Sequence, residues 1–255
     1  MNRFPCDQTY RHFMTTGCDE VGRGCMAGPV VTAALSWTPD QVMTRPFYSK
    51  LRDSKETSEK TRLTLYRDIL THASRIRVDV ISHMVVDRIN VLRASLLGFE
   101  RTAPEYREGN YLFIDGNQKP ARLKWAKTLV KGENRLSAIA GASIVAKVIR
   151  DEIMTSLAKA YPEYDFQSHV GYPTQAHKKA LSDHGPCPIH RKSYKPLAPF
   201  VSEQASHSPF IQNLLRETDP AAIQNAWRNY SQHYFEFSPA EDRMLYPFFL
   251  RHGYL

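Results

Sequence analysis

Two acidic residues side by side, Asp19 and Glu20, run straight into Val21-Gly22-Arg23-Gly24, and a third, Asp115, closes the apolar run Tyr111 to Ile114 ahead of Gly116-Asn117. Acidic side chains are usually solvated, so carboxylates standing where an apolar run stops and a glycine turn begins invite a chemical reading. In a strand, neighbouring side chains point to opposite faces, so Asp19 and Glu20 can serve one ligand only where the strand ends or bulges. The glycines that follow permit that bend. Carboxylates brought together raise one another's pKa unless a cation neutralises them. With oxygen donors and no His or Cys partner, that cation would be hard, Mg²⁺ or Mn²⁺ rather than Zn²⁺. The rival reading of both motifs is a pair of surface turns.

Gly22-Arg23-Gly24 can expose consecutive backbone N–H groups to a phosphate or a hydroxyl, because glycine removes the Cβ obstruction. Such a G-x-G is equally an ordinary tight turn. Lys131-Gly132-Glu133 closes another strand-like run, and the small-residue helix after it carries Ser143 and Lys147, four apart and so on one face. Beside a metal that pair would suit a phosphate; otherwise it is a buried hydroxyl and a solvated lysine.

These residues need a sheet to hold them. Apolar runs rich in β-branched residues alternate with helical patterns, which predicts an α/β domain. Strands are expected over Met14 to Glu20, Gly28 to Trp37, Ile76 to Ser82, Tyr111 to Ile114 and Ala126 to Lys131. Helices are expected over Ser58 to Ser74, Val86 to Thr102 and Leu136 to Tyr161, with a shorter one after Thr174. Pro196 and Pro199 mark a boundary near residue 200, dividing a domain over 1–199 from a tail over 200–255. Three weaker helical pieces, 207–217, 220–235 and 239–251, fill the tail. Asp219-Pro220 and Ser238-Pro239 open the last two as an N-cap followed by proline at the first helical position.

The chain has 255 residues, with 34 Lys and Arg against 26 Asp and Glu, a formal charge of +8, and a 42% hydrophobic share that can supply a core. The tail holds four basic residues (Arg216, Arg228, Arg243, Arg251) against six acidic ones (Glu203, Glu217, Asp219, Glu236, Glu241, Asp242), so the positive excess lies ahead of residue 200. A polyanionic partner would meet the front part. No run approaches the roughly 20 apolar residues of a membrane span, and the first residues are polar rather than signal-like. A cytoplasmic protein without membrane contact is the expectation. Cys6, Cys18, Cys25 and Cys187 form no C-x-x-C pair, which suggests reduced, mostly buried thiols.

A series of phrases in fixed order resembles ribonuclease HII. They are Gly17-Cys-Asp-Glu-Val-Gly-Arg-Gly24, Ala27-Gly-Pro-Val-Val-Thr-Ala-Ala34, Asp53-Ser-Lys-Glu-Thr-Ser-Glu-Lys60, Ile114-Asp-Gly-Asn117, Val130-Lys-Gly132, Ala142-Ser-Ile-Val-Ala-Lys-Val148, Arg150-Asp151, His169-Val-Gly-Tyr-Pro-Thr174 and Ile189-His-Arg-Lys-Ser-Tyr194. The resemblance implies an RNase H-like fold, a mixed central β-sheet flanked by helices, here with a C-terminal helical extension. It implies endonucleolytic cleavage of the RNA strand of RNA–DNA hybrids and incision 5′ to ribonucleotides embedded in duplex DNA. The family's four carboxylates, catalytic and metal-binding, fall on Asp19, Glu20, Asp115 and, by position, Glu133, and would hold two Mg²⁺ or Mn²⁺ ions during catalysis. Gly22, Arg23 and Gly24 would meet the 2′-hydroxyl, the group that separates RNA from DNA. Tyr172 would bond to it and stack on the next sugar, while Lys55, Ser143, Lys147, His190, Arg191 and Lys192 would contact phosphates.

The sequence also departs from the family pattern. Glu133 stands where aspartate is usual, one methylene longer, so metal preference or rate would change, or Asp151 would substitute; Glu133 is taken as the ligand. Cys25 replaces proline after the glycine turn, Glu56 replaces a second lysine in the Asp53 motif, and Gly141 enters the small-residue helix. A catalytically impaired hybrid-binding protein is therefore the alternative, while a DNA-directed recombination nuclease is disfavoured by Gly22-Arg23-Gly24 with Tyr172. The tail could clamp substrate, pack on the domain or bind a protein. Asp242, Leu245, Phe248 and Phe249 faintly resemble a sliding-clamp motif, with Pro247 intervening. A monomer is expected.

Overall fold

The computed structural model describes residues 4–44, 48, 50, 51, 57–201 and 207–254. They gather into two compact units. Unit 1 takes Met1–Arg23, Pro29–Ile81 and Val91–Ser156; unit 2 takes Gly24–Gly28, Ser82–Asn90 and Leu157–Leu255.

Unit 1 is built on five strands: β1 (Met14–Val21), β2 (Val30–Trp37), β3 (Arg75–Ile81), β4 (Asn110–Asp115) and β5 (Lys127–Leu129), in the order β3-β2-β1-β4-β5. β1 runs antiparallel to β2 and β2 to β3, whereas β1–β4 and β4–β5 are parallel, so the sheet is mixed. Both faces are covered, and β2 is accordingly buried along its whole length. On one face Leu35, Trp37 and Phe113 pack with α3 (Glu59–His72) and α6 (Ser137–Ala160). On the other, Cys18, Ala34, Leu112 and Ile114 meet Phe99 and Ala103, at and just beyond α5 (Val91–Thr102).

α6 lies unusually close to β1. A Cβ at Gly17 would sit 2.3 Å from the backbone nitrogen of Ile139, so only glycine lets the helix backbone rest on the strand. The same closeness explains Gly141, whose Cβ would meet Leu35 Cδ1 at 3.1 Å. Adding even one methyl group at Gly17 is an overpacking change, of the kind that costs about 1–3 kcal/mol.

The expected helix over Val86 to Thr102 is two helices. α4 (His83–Ile89) ends at Asn90, whose φ of 66° breaks the helical path before α5 begins, and asparagine tolerates that region better than most residues. Short helices α1 (Pro5–Thr9) and α2 (Pro39–Thr44) also lie outside the expectations, being too short to show a period.

Unit 2 contains α4, α7 (Phe166–His169), α8 (Gln175–His184) and the tail helices α9 (Ser208–Leu214), α10 (Pro220–Gln232) and α11 (Pro239–Arg251). Met84, Ile211, Ile223, Tyr230, Tyr234, Phe237, Leu245 and Phe249 form its core. Asp219 caps α10 by accepting from the Ala221 and Ala222 N–H groups, and Ser238 opens α11 with a capping box to Glu241. Beneath them Asp87 accepts from the Lys192 and Ser193 N–H groups and from the Ser193 and Tyr234 hydroxyls. No disulfide joins the four cysteines, of which Cys18, Cys25 and Cys187 are buried. Among the described residues no helix is long and apolar enough to cross a membrane.

Buried Asp7 supplies a pH dependence. Its carboxylate accepts from the N–H of Ser137, the first residue of α6, but burial outweighs that bond and pushes the group up to about 6. In the unfolded chain it titrates near 4. The folded state thus holds the proton more tightly, and the associated stability is complete below about pH 4 and lost as pH rises through about 6. Asp7→Asn, neutral throughout, should be more stable than wild type above pH 6 by up to about 3 kcal/mol, with the gap closing below pH 4. Thermal melts at pH 4 and pH 8 check this; an equal gap at both pH values would refute it.

Candidate active site

Three parallel strands end along one edge. The last β1–β4 pair is Cys18 with Ile114, so the next residues in register are Asp19 and Asp115. Asp115 in turn pairs with Leu129 of β5, after which the chain turns at Lys131, with φ of 54°. That turn aims the Gly132 N–H at Asp115, whose Oδ1 accepts it at 2.8 Å, and Glu133 follows in a single 3₁₀ turn. Register and one left-handed residue bring these three stretches to this edge.

The expected bend in β1 is absent. Its pairing with β2 continues through Asp19, Glu20 and Val21, so the strand is regular there, and adjacent side chains leave on opposite faces. Asp19 points toward α6, where Ser143 hydrogen-bonds to it, and Glu20 toward the face on which Cys18 meets Phe99. Only the β4 side is open beyond Cys18, which lets the acidic groups influence one another past the strand end.

Burial is the largest effect on Asp19 and holds its carboxyl well above the ordinary range, with Glu20 and then Asp115 pushing the same way. The Ser143 side chain and the Glu20 N–H, 2.8 Å from Asp19 Oδ1, pull it back in part. Glu20 Oε1 is paired with Arg23 Nη1 at 3.1 Å, and Glu133 Oε1 accepts from Asn134 Nδ2 at 3.1 Å. Among the described residues no three His, Cys, Asp or Glu side chains converge as a ready ion cage. The donor chemistry nonetheless fits a hard divalent cation: the donors are all carboxylate oxygens, and the repulsion a cation would relieve is centred on Asp19.

α6 runs along β1 and lines the same end. Lys147 Nζ lies 2.7 Å from Asp151 Oδ1, and Arg62 approaches Asp151 Oδ2 at 3.9 Å. Asp151 is thus a partner of two cations. Arg150, fully buried, donates from Nε to the Pro29 carbonyl at 2.9 Å and backs the glycine turn: Gly22 has φ of 102°, and a Cβ there would lie 2.3 Å from Arg150 Nε. Sequence reasoning assigned Arg150 no role, and among its charged neighbours Lys147, Asp151 and Glu152 nothing in the sequence marks it as buried.

Within unit 2, Tyr172 is half-buried, and a Cβ at Gly24 would come 3.9 Å from its Cε1. Val170, just before, is held at φ of 43°, an unusual conformation for a β-branched residue. His190, Arg191 and Lys192, expected at phosphates, are buried and bonded within the fold. Arg191 donates from Nε and Nη2 to the Gly28 carbonyl and from Nη1 to Tyr194 Oη. Lys192 Nζ reaches the Phe237 carbonyl and Asp242. Lys55 and Glu56 lie outside the described residues. Leu245, Phe248 and Phe249 of the clamp-like stretch are core residues, and Asp242 is engaged by Lys192 and Tyr230.

Comparison with known proteins adds to this geometry. The family model described as Ribonuclease HII matches residues 16–197. Ribonuclease HII of Mycoplasma mycoides subsp. mycoides is 42% identical over 191 residues, covering 74% of this chain and 89% of that protein. Ribonuclease H2 from Pyrococcus horikoshii OT3 shares the fold at a TM-score of 0.59 and 20% identity, over 73% of this chain and 96% of that one. Bst-RNase HIII in complex with Mn²⁺ does so at 0.54 and 17%, over 78% and 72%.

A crowded Asp19 carries a cost that neutralising it should remove. Because its folded pKa is raised, stability at this site is full at low pH and falls as pH rises. In metal-free buffer with a chelator, Asp19→Asn should melt above wild type at pH 8, and the difference should shrink toward pH 4. A variant that melts lower than wild type at pH 8 would contradict a mutually repelling cluster.

Proposed function

The chain belongs to the ribonuclease HII family, and on that premise we propose that it is an endoribonuclease that cuts the RNA strand of RNA–DNA hybrids and incises duplex DNA on the 5′ side of an embedded ribonucleotide. The observation that carries the reading is the placement of Asp19 and Asp115 side by side at the ends of parallel strands, with Glu20 acting on Asp19.

Asp19, Glu20, Asp115 and Glu133 are the groups that would hold two divalent ions, Mg²⁺ or Mn²⁺. Such ions, when bound, would lower the pKa of the attacking water and offset charge on the leaving 3′ oxygen, for hydrolysis that would leave 3′-hydroxyl and 5′-phosphate ends. The chain's own contribution is orientation. Gly132 fixes the Asp115 carboxylate through one N–H, while Ser143 and the Glu20 N–H fix Asp19. Lys147 offers a cation, shared with Asp151, to a phosphate. Gly22, Arg23 and Gly24 would present main-chain groups to the 2′-hydroxyl, and Tyr172 would donate to it and stack on the following sugar. Backing by Arg150 and the adjacency of Gly24 to Tyr172 support that division of labour.

Glu133 leaves a second reading open, because its carboxylate bonds to neighbouring Asn134 and its reach differs by one methylene from an aspartate's. In that case the protein binds hybrids without cutting them.

A DNA duplex with one ribonucleotide, compared with its all-DNA twin under Mg²⁺ and under Mn²⁺, separates the two. Wild type and Glu133→Asp are expected to cut 5′ to the ribonucleotide and spare the twin. Glu133→Ala is expected to lose about tenfold or more. Binding without cleavage by wild type, with cleavage restored in Glu133→Asp, would establish the binder instead.

A further inference from the structure

Three histidines and a thiol lie close behind the Tyr172 turn, and the ring protons of His177 and His190 can be followed along one line. His177 Nδ1 is 2.9 Å from the Tyr172 carbonyl oxygen, which can only accept, so Nδ1 carries the proton. In a neutral ring Nε2 is then bare. It faces His190 Nε2 at 3.0 Å, and two lone pairs at that distance would repel, so His190 carries its proton on Nε2. His190 Nδ1 is consequently bare and accepts the directional Cys187 N–H at 3.0 Å, with the Cys187 thiol and carbonyl oxygen each 3.1 Å away. Protons are aligned from Cys187 through His190 and His177 to Tyr172.

The line is sealed from water. His177 and His190 are fully buried and Cys187 nearly so. Burial lowers His177 to about 4 and His190 to about 3, which keeps both rings neutral near pH 7. His169 stacks on His177 with ring centroids 4.4 Å apart, and its Nδ1 accepts the Gly171 N–H. Phe166 packs its ring against His177 at 5.4 Å. The Tyr172 turn is also stitched to the segment behind Gly24, since Met26 donates to the Gly171 carbonyl and His190 bridges to Ala27. At its root stands Val170 in a strained conformation, of the sort that persists only where surrounding contacts over-determine it.

We propose that His177 is a positioning residue for Tyr172, held in its Nδ1–H tautomer by His190, so that the pair sets how the tyrosine ring meets the sugar next to a ribonucleotide. The inference rests on the reading of Tyr172 as a substrate contact. His190 thereby acts inside the fold rather than at a phosphate.

Two measurements test it on the full-length protein. In ¹⁵N-histidine-labelled wild type at pH 7, the ring nitrogen spectrum should show His177 as the Nδ1–H tautomer and His190 as the Nε2–H tautomer. A charged His177, or His177 protonated at Nε2, overturns the proposal without any variant having to fold. The second measurement is a double-mutant cycle on a duplex with one ribonucleotide. Tyr172→Ala should slow incision by about tenfold or more, since small misplacements at a reacting centre cost up to about a hundredfold. His177→Phe, which keeps the ring but loses the donor, should slow it comparably, and the double variant should be no slower than Tyr172→Ala. His177→Asn, whose side-chain N–H can stand in for Nδ1–H, should recover most of the loss. If Tyr172→Ala alone has no effect, the substrate reading of Tyr172 falls and the inference with it. If Tyr172→Ala is impaired but His177→Phe adds its full effect on top, the inference alone falls.

Discussion

The contact between Gly17 and the backbone of α6 is the constraint on which unit 1 depends. It brings a 24-residue helix against the central strand at a spacing that no side chain would allow, and the helix then follows the strand to its acidic end. Ser143 arrives at Asp19, and Arg150 arrives under Gly22, because both are fixed on a rigid rod whose foot is docked on Gly17. Asp7 ties down the first residue of the same helix. One close approach therefore orients an acidic strand end and Gly22 just beyond it together.

The site that results is electrostatically unfavourable by itself. Packing lowers the polarity around Asp19 while register sets Asp115 beside it, and each effect favours the protonated acid. A protein selected only for stability would not keep such an arrangement, which is the usual mark of a functional site within an otherwise consistent fold. The compensation is spread widely: a sheet buried on both faces, helices closed by local caps, and a tail core rich in aromatic rings.

What the sequence disclosed follows the range of each interaction. β1 to β4, α3 and α6 were legible because alternation and apolar period are local signals, and α10 and α11 because Asp219-Pro220 and Ser238-Pro239 are local caps. Asn90 was not, since a left-handed residue inside an apolar stretch leaves the period intact on both sides. The four acidic positions stood out by type and by the glycines near them, yet the way β1 ends did not: its β4 side stops pairing at Cys18 while its β2 side continues to Val21, which no single strand reveals. The surroundings of the basic residues were least legible. Arg191 and Lys192 look like surface cations until their partners, Gly28 and Asp242, are known, and those lie far away along the chain. Likewise His177 and His190 are unremarkable in sequence, thirteen residues apart, and gain meaning only from facing nitrogens.

Unit 2 is assembled from pieces that emerge at very different times. Residues 24–28 and 82–90 belong to it, yet their partners begin only at Leu157, whereas the last segment of unit 1 ends at Ser156. During synthesis at about 5–20 residues per second, every acidic residue of the strand-end cluster leaves the ribosome before the first residue of the Tyr172 turn. A nascent chain halted near residue 160 would carry the whole acidic set and none of the histidine line.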